Sequence, residues 1–119
     1  MSWFAAHVIM YITWNDGEQP HVPVWENLVL IEAPTSEDAE RKAEAVGRLS
    51  EGDSDGTLIW DGRPARWNFA GVRKVIACDS SDVPPTDGTE VSYSEFSLAS
   101  IGDLERLVGG AETELRYIE

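Results

Sequence analysis

The residues whose types and spacing invite chemistry are few, and the most suggestive run lies between Glu51 and Gly62. Glu51, Asp53 and Asp55 followed by Gly56 imitate positions 1, 3, 5 and 6 of a calcium loop, where oxygen ligands surround a sharp turn. The twelfth position is Gly62, where such a loop needs a bidentate Glu, and Thr57-Leu58-Ile59-Trp60 reads as a strand instead of a helix. A plain helix-to-strand turn is the reading, and no metal is expected. His7 lies mid-strand among apolar neighbours and His21 in a loop, so they do not form the close ligand pair of a zinc site. His7 reads as a satisfied core residue and His21 as solvated; a catalytic His7 working with a distant carboxylate is the sharper alternative. Cys78 ends an apolar strand and reads as an inert packed thiol, although a Cys–His pair would require only that its strand adjoin that of His7. No nucleophile elbow, phosphate-binding glycine loop or interpretable acid pair is present, so neither a catalytic residue nor a cofactor is expected.

The elements that must position these groups are legible. Trp3 to Trp14, WFAAHVIMYITW, has no Gly or Pro and reads as a long strand. Phe4, Ala6, Val8, Met10, Ile12 and Trp14 fall on one face, while Trp3, Ala5, His7, Ile9, Tyr11 and Thr13 fall on the other. Leu28 to Ile31 is an unbroken apolar run, which predicts an interior strand buried on both faces. Pro34 ends it, and Thr35 or Ser36 caps a helix whose Ala39, Ala43, Val46 and Leu49 share one face, with Gly47 weakening it late and Gly52 stopping it. Asp61-Gly62 between Thr57–Trp60 and Arg63–Phe69 is a type I′ hairpin signal, and Gly71 marks a bulge or bend before a further strand over Val72 to Cys78. A last strand is expected over Thr89 to Phe96, a short helix capped by Ser100, and a tail over Thr113 to Ile118 that is an edge strand or disordered.

Composition bounds the function classes. The 22 acidic against 9 basic residues give a formal net charge of −13. A nucleic-acid backbone or an anionic membrane repels such a surface, so neither is an expected partner. The lone cysteine permits no internal disulfide, and no apolar run has the length of a span or signal peptide, which together point to a cytoplasmic protein.

The Trp-Phe-Ala start of the first strand, Trp25-Glu26, the Ile31-Glu32-Ala33 exit into an Ala- and Glu-rich helix, Trp67-Asn68-Phe69-Ala70-Gly71-Val72 and Asp87-Gly88-Thr89-Glu90-Val91 follow one another in an order that resembles an uncharacterised bacterial family, domain of unknown function 4288. The resemblance covers about residues 3–96. It implies a small bacterial protein and carries no catalytic or ligand residues.

The expected fold is therefore one α+β domain over residues 1–119, with a short helix and tail over 97–119. It is an antiparallel sheet of about five strands with one long helix packed on one face and a short C-terminal helix. One helix on each face is the alternative. So few helical turns cover little more than one sheet face. The other, with Trp3, His7, Ile9, Tyr11, Trp25 and Trp67 as its partner or pocket residues, then needs a mate. The expectation is a non-enzymatic interaction module, a homodimer with an acidic rim suited to a basic protein, as in an inhibitor or immunity role. A small-molecule binder or modest enzyme, with His7, Tyr11, Trp25 and Trp67 lining a pocket between sheet and helices, is the alternative.

Overall fold

Alternation and apolar runs in the first third of the chain build the sheet that everything else rests on. A computed structural model describes residues 1–52, 56–79 and 81–118. Its elements are β1 (Ser2–Trp14), β2 (Val24–Ala33), α1 (Ser36–Leu49), β3 (Ile59–Trp60), β4 (Arg63–Ala77), β5 (Phe96–Ser97), α2 (Ile101–Val108) and β6 (Arg116–Tyr117). The main sheet has the order β2-β1-β4-β3 with antiparallel neighbours throughout, and β5 pairs with β6 in a separate two-stranded ribbon. The chain is thus α+β with a mainly antiparallel sheet.

Three particulars of the expected architecture are corrected. The main sheet has four strands, because Arg63 to Ala77 runs as one strand through Gly71, and because residues 89–95 do not pair as a strand. Neither helix is long: α1 has 14 residues and α2 has 8. And β2 lies at the edge of the sheet, with Leu28 and Leu30 about half exposed on one face, so the apolar run Leu28 to Ile31 is neither central nor buried on both faces. An apolar run reports burial without saying which neighbour supplies it, and here only one flank of β2 has one.

The first sheet face carries the core. Phe4, Ala6, Val8 and Met10 pack with Ile31 and Ala33 of β2 and with Ala39 and Ala43 of α1. The small helix residues bring the α1 axis close to the sheet, and Gly47 continues that seam: a Cβ there would collide with the ring of Phe69. The helix therefore buries Ala39, Ala43 and Gly47, at steps of four, while Val46 is exposed and Leu49 is 87% exposed. The expected face with Val46 and Leu49 is rotated because the Phe69 ring takes the place that a larger helix residue would need. The Thr35 hydroxyl accepts from the Asp38 amide at 3.1 Å, and Ser100 caps α2 in the same way.

At the far end of the first face, Ile12, Trp14 and Ala65 form a smaller cluster with Trp25, Leu58 and Trp67 packed against it. Trp25 stands edge-on to both Trp60 and Trp67, at 5.1 and 4.7 Å between ring centroids. The Asp61-Gly62 turn that brings Trp60 there has positive φ at both residues, as a type I′ hairpin requires.

Candidate functional site

The second sheet face is partly roofed by the chain itself, and the roof is fastened at His7. His7 points away from α1 and is 1% exposed. Its Nδ1 lies 2.7 Å from Oε2 of Glu26, and its Nε2 makes a short hydrogen bond with Oγ of Ser92. Glu26 sits on the same face of the neighbouring strand, where the register pairs it with Ile9 and pairs His7 with Leu28. The second oxygen of Glu26 accepts from the Tyr117 hydroxyl at 3.3 Å, and Arg73 donates to Oε2 at 3.1 Å.

A bulge explains the reach of Arg73. The β1–β4 register shifts between His7 and Val8, so that His7 pairs with Lys74 while Val8 pairs with Val72. Arg73 is the additional residue, and a bulge turns its side chain out of the plain alternation toward Glu26. Its guanidinium also lies 4.3 Å from the centre of the Tyr117 ring. Lys74 stands over the ring of Tyr93 and donates to the Tyr93 carbonyl.

Burial acts on Glu26 to raise its pKa, but the hydrogen bond from His7 and the charge of Arg73 outweigh it and hold the carboxyl below its ordinary value. An ionised Glu26 only accepts hydrogen bonds, so the proton of a neutral His7 stays on Nδ1. Nε2 then presents its lone pair to Ser92. Chemically this is a hydroxyl against a base that is oriented by a carboxylate.

Ser92 borders a surface cavity of about 400 Å³ with Ile76, Asp79, Glu90 and Tyr93 among its walls. Ile9 and Tyr11 border a shallower recess of about 440 Å³ on the same sheet face, beside Val22 and Val24.

The edge of β2 stays open beside this roof. The Ile12 amide donates to the Pro23 carbonyl at 3.1 Å, which fixes the phase of the β1–β2 ladder. In an antiparallel pair residues that exchange bonds alternate with residues that do not, so Trp25, Asn27, Val29 and Ile31 face β1. Val24, Glu26, Leu28, Leu30 and Glu32 direct their backbone groups outward. The Lys42 ammonium, 2.6 Å from the Glu32 carbonyl, occupies the last of these. On the same residues Val24, Leu28 and Leu30 are 56%, 51% and 48% exposed.

The structure divides the six residues expected to form one face. Trp3, His7, Ile9 and Tyr11 share the second face, whereas Trp25 and Trp67 lie on the first with the smaller core cluster. The two sets are on opposite sides of the sheet. Cys78 does not meet His7: its amide bonds the Trp3 carbonyl at 3.0 Å, four positions along β1, or roughly 13 Å at the strand rise. Its buried Sγ approaches the Val91 carbonyl, and burial pushes the thiol pKa up. His21 is exposed and edge-on to Trp14, and Asp53 and Asp55 of the calcium-like run lie outside the described residues.

Glu26, Arg73, Ser92 and Tyr117 were not singled out from the sequence. Glu26 gave a signal, as the one charge within Val24 to Ile31. Ser92 is 85 positions from His7, and no local pattern announces it.

Fold and site together define a small α+β protein with a histidine network under a C-terminal roof and an open edge on β2. The chain belongs to the family described as domain of unknown function (DUF4288), whose model matches residues 3–93. The match contains His7, Glu26, Arg73 and Ser92 but stops short of Tyr117. No curated protein and no solved structure matches the chain significantly. Among the described residues, no helix is long and apolar enough to cross a membrane.

Proposed function

We propose that this chain is a protein-interaction module that takes up an extended segment of a basic protein along the outer edge of β2. The observation that carries this reading is the coincidence, on Val24, Leu28 and Leu30, of outward backbone groups with exposed apolar side chains. Strand addition uses both: main-chain bonds supply affinity and alternate side chains supply selectivity. Edges of this length are ordinarily blunted by charge, proline or a covering element. Here only Glu26 and Glu32 interrupt the strip, and Glu26 is turned to His7.

Charge selects the partner. A formal net charge of −13 steers a cationic chain inward and repels a second copy of the same protein. The roof supports this preference over a homodimer, because Ala5 and His7, at the middle of the second face, are already covered. An inhibitor or immunity role toward a basic protein is the form of this activity that suits a bacterial cytoplasm.

A synthetic decapeptide of alternating Val and Lys tests the reading by calorimetry. Binding is expected, weakening steeply as salt rises, and it is expected to vanish when alternate amides of the peptide are N-methylated, which keeps the charge but removes strand donors. Equal binding by both peptides, or by neither, contradicts it. So does a concentration-independent dimer of the free protein in light scattering.

A further inference from the structure

We propose that Ser92, His7 and Glu26 form an acyl-transfer site that hydrolyses small carboxylic esters. This activity uses the Glu26 side chain, not the outer backbone edge of β2, and departs from the expectation of a chain without catalysis. Three features point to it. The hydroxyl, imidazole and carboxylate are linked in the order that activates a serine, with Ser92 on Nε2 and Glu26 on Nδ1 of one ring. Glu26 is tied by Arg73 and Tyr117, so the carboxylate that orients the ring is itself held in place. And Ser92, unlike the buried His7, is among the residues lining a surface cavity of about 400 Å³, so the residue that carries the hydroxyl lies beside space that a small acyl group could occupy.

The step follows from these positions. Ser92 Oγ attacks the ester carbonyl carbon and its proton passes to His7 Nε2, while Glu26 retains the Nδ1 proton in its hydrogen bond and stabilises the imidazolium. The carbon–oxygen bond to the alcohol breaks, and the leaving alkoxide takes the proton from Nε2. Water then attacks the acyl-Ser92 carbonyl, gives its proton to Nε2, and the collapse returns that proton to Oγ and releases the carboxylic acid. Lys74, which pairs with His7 in register, donates to the Tyr93 carbonyl and so fastens the segment that carries Ser92. Asp79 and Glu90 in the cavity wall select neutral or cationic esters over anionic ones. Ser92 and His7 are the catalytic residues in this assignment, and Glu26 is a positioning residue.

The test treats the full native chain with a small alkyl fluorophosphonate, followed by intact-mass and peptide mass spectrometry, and measures hydrolysis of p-nitrophenyl acetate in parallel. One adduct is expected on Ser92, absent from the urea-unfolded chain, and Ser92→Ala is expected to lower hydrolysis at least a hundredfold. Glu26→Gln is expected to slow labelling about tenfold and to move the midpoint of its pH profile, which a merely structural role of Glu26 would leave in place. Because Ser92 lies in an irregular segment at the surface, circular dichroism of Ser92→Ala is expected to match the native chain. Absence of an adduct on Ser92 in the native protein, an adduct on other serines alone, or undiminished hydrolysis in folded Ser92→Ala overturns the proposal.

Discussion

His7 Nδ1 lies 2.7 Å from Glu26 Oε2, and this contact ties the middle strand of the sheet to its edge strand beneath the C-terminal segment. Its consequence is a defined acid sensitivity. The folded-state pKa of Glu26 is below its ordinary value of 4.5, so near and below that value the unfolded chain binds a proton that the folded chain does not. The stabilisation is therefore complete above pH 4.5 and drains as pH falls through the folded pKa. Glu26→Gln, which keeps an acceptor for His7 but loses the charge facing Arg73, is expected to cost about 1.5–3 kcal/mol at neutral pH. Urea midpoints measured from pH 7 to pH 3 should converge for the two proteins at the acid end. Parallel curves would mean that the carboxylate carries no such stability.

The seam between Gly47 and Phe69 gives a prediction opposite in sign to helix propensity. Replacing a glycine within a helix by alanine ordinarily stabilises by up to about 0.5–1 kcal/mol, even in a last turn such as that of Gly47. Here the new methyl meets the Phe69 ring, and overpacking of this kind costs about 1–3 kcal/mol. Gly47→Ala should lower the urea midpoint, and Phe69→Leu should cost less in that background than in the native one. A raised midpoint for the single variant would show that the ring moves aside freely.

Cys78 should behave as a packed thiol. Burial raises its pKa above the ordinary 9.0, outweighing an opposing backbone hydrogen bond, so the folded chain holds this proton to higher pH than the unfolded one. Its contribution to stability is thus full below pH 9 and falls away as pH rises through the folded pKa. Alkylation by iodoacetamide at pH 8 is expected to be at least tenfold slower in the native protein than in urea. Equal rates would place the thiol at the surface.

Much of this was legible in the residues. The two faces of β1, the Thr35 and Ser100 caps and the Asp61-Gly62 hairpin follow from local rules of alternation, capping and turn chemistry. What was not legible depends on pairings across the chain. Nothing within β2 says that one of its flanks lacks a neighbour, so Leu28 to Ile31 read as interior. Gly47 read as a weak point of α1 because its partner, Phe69, comes from a strand beyond two turns. The second face read as bare because its cover comes from irregular segments, and Ser92 and Tyr117 reach His7 and Glu26 without any periodic signal.

The central claim is that the outer edge of β2 is a docking edge, and amide exchange on that strand tests it most directly. With the alternating Val-Lys decapeptide at saturation, the amides of Val24, Leu28 and Leu30 should gain protection in nuclear magnetic resonance exchange, while those of Asn27 and Val29, already bonded to β1, change little. Protection that leaves these outward amides exchanging as fast as in the free protein, or that appears only at α2 or in the cavity beside Ser92, would contradict the account.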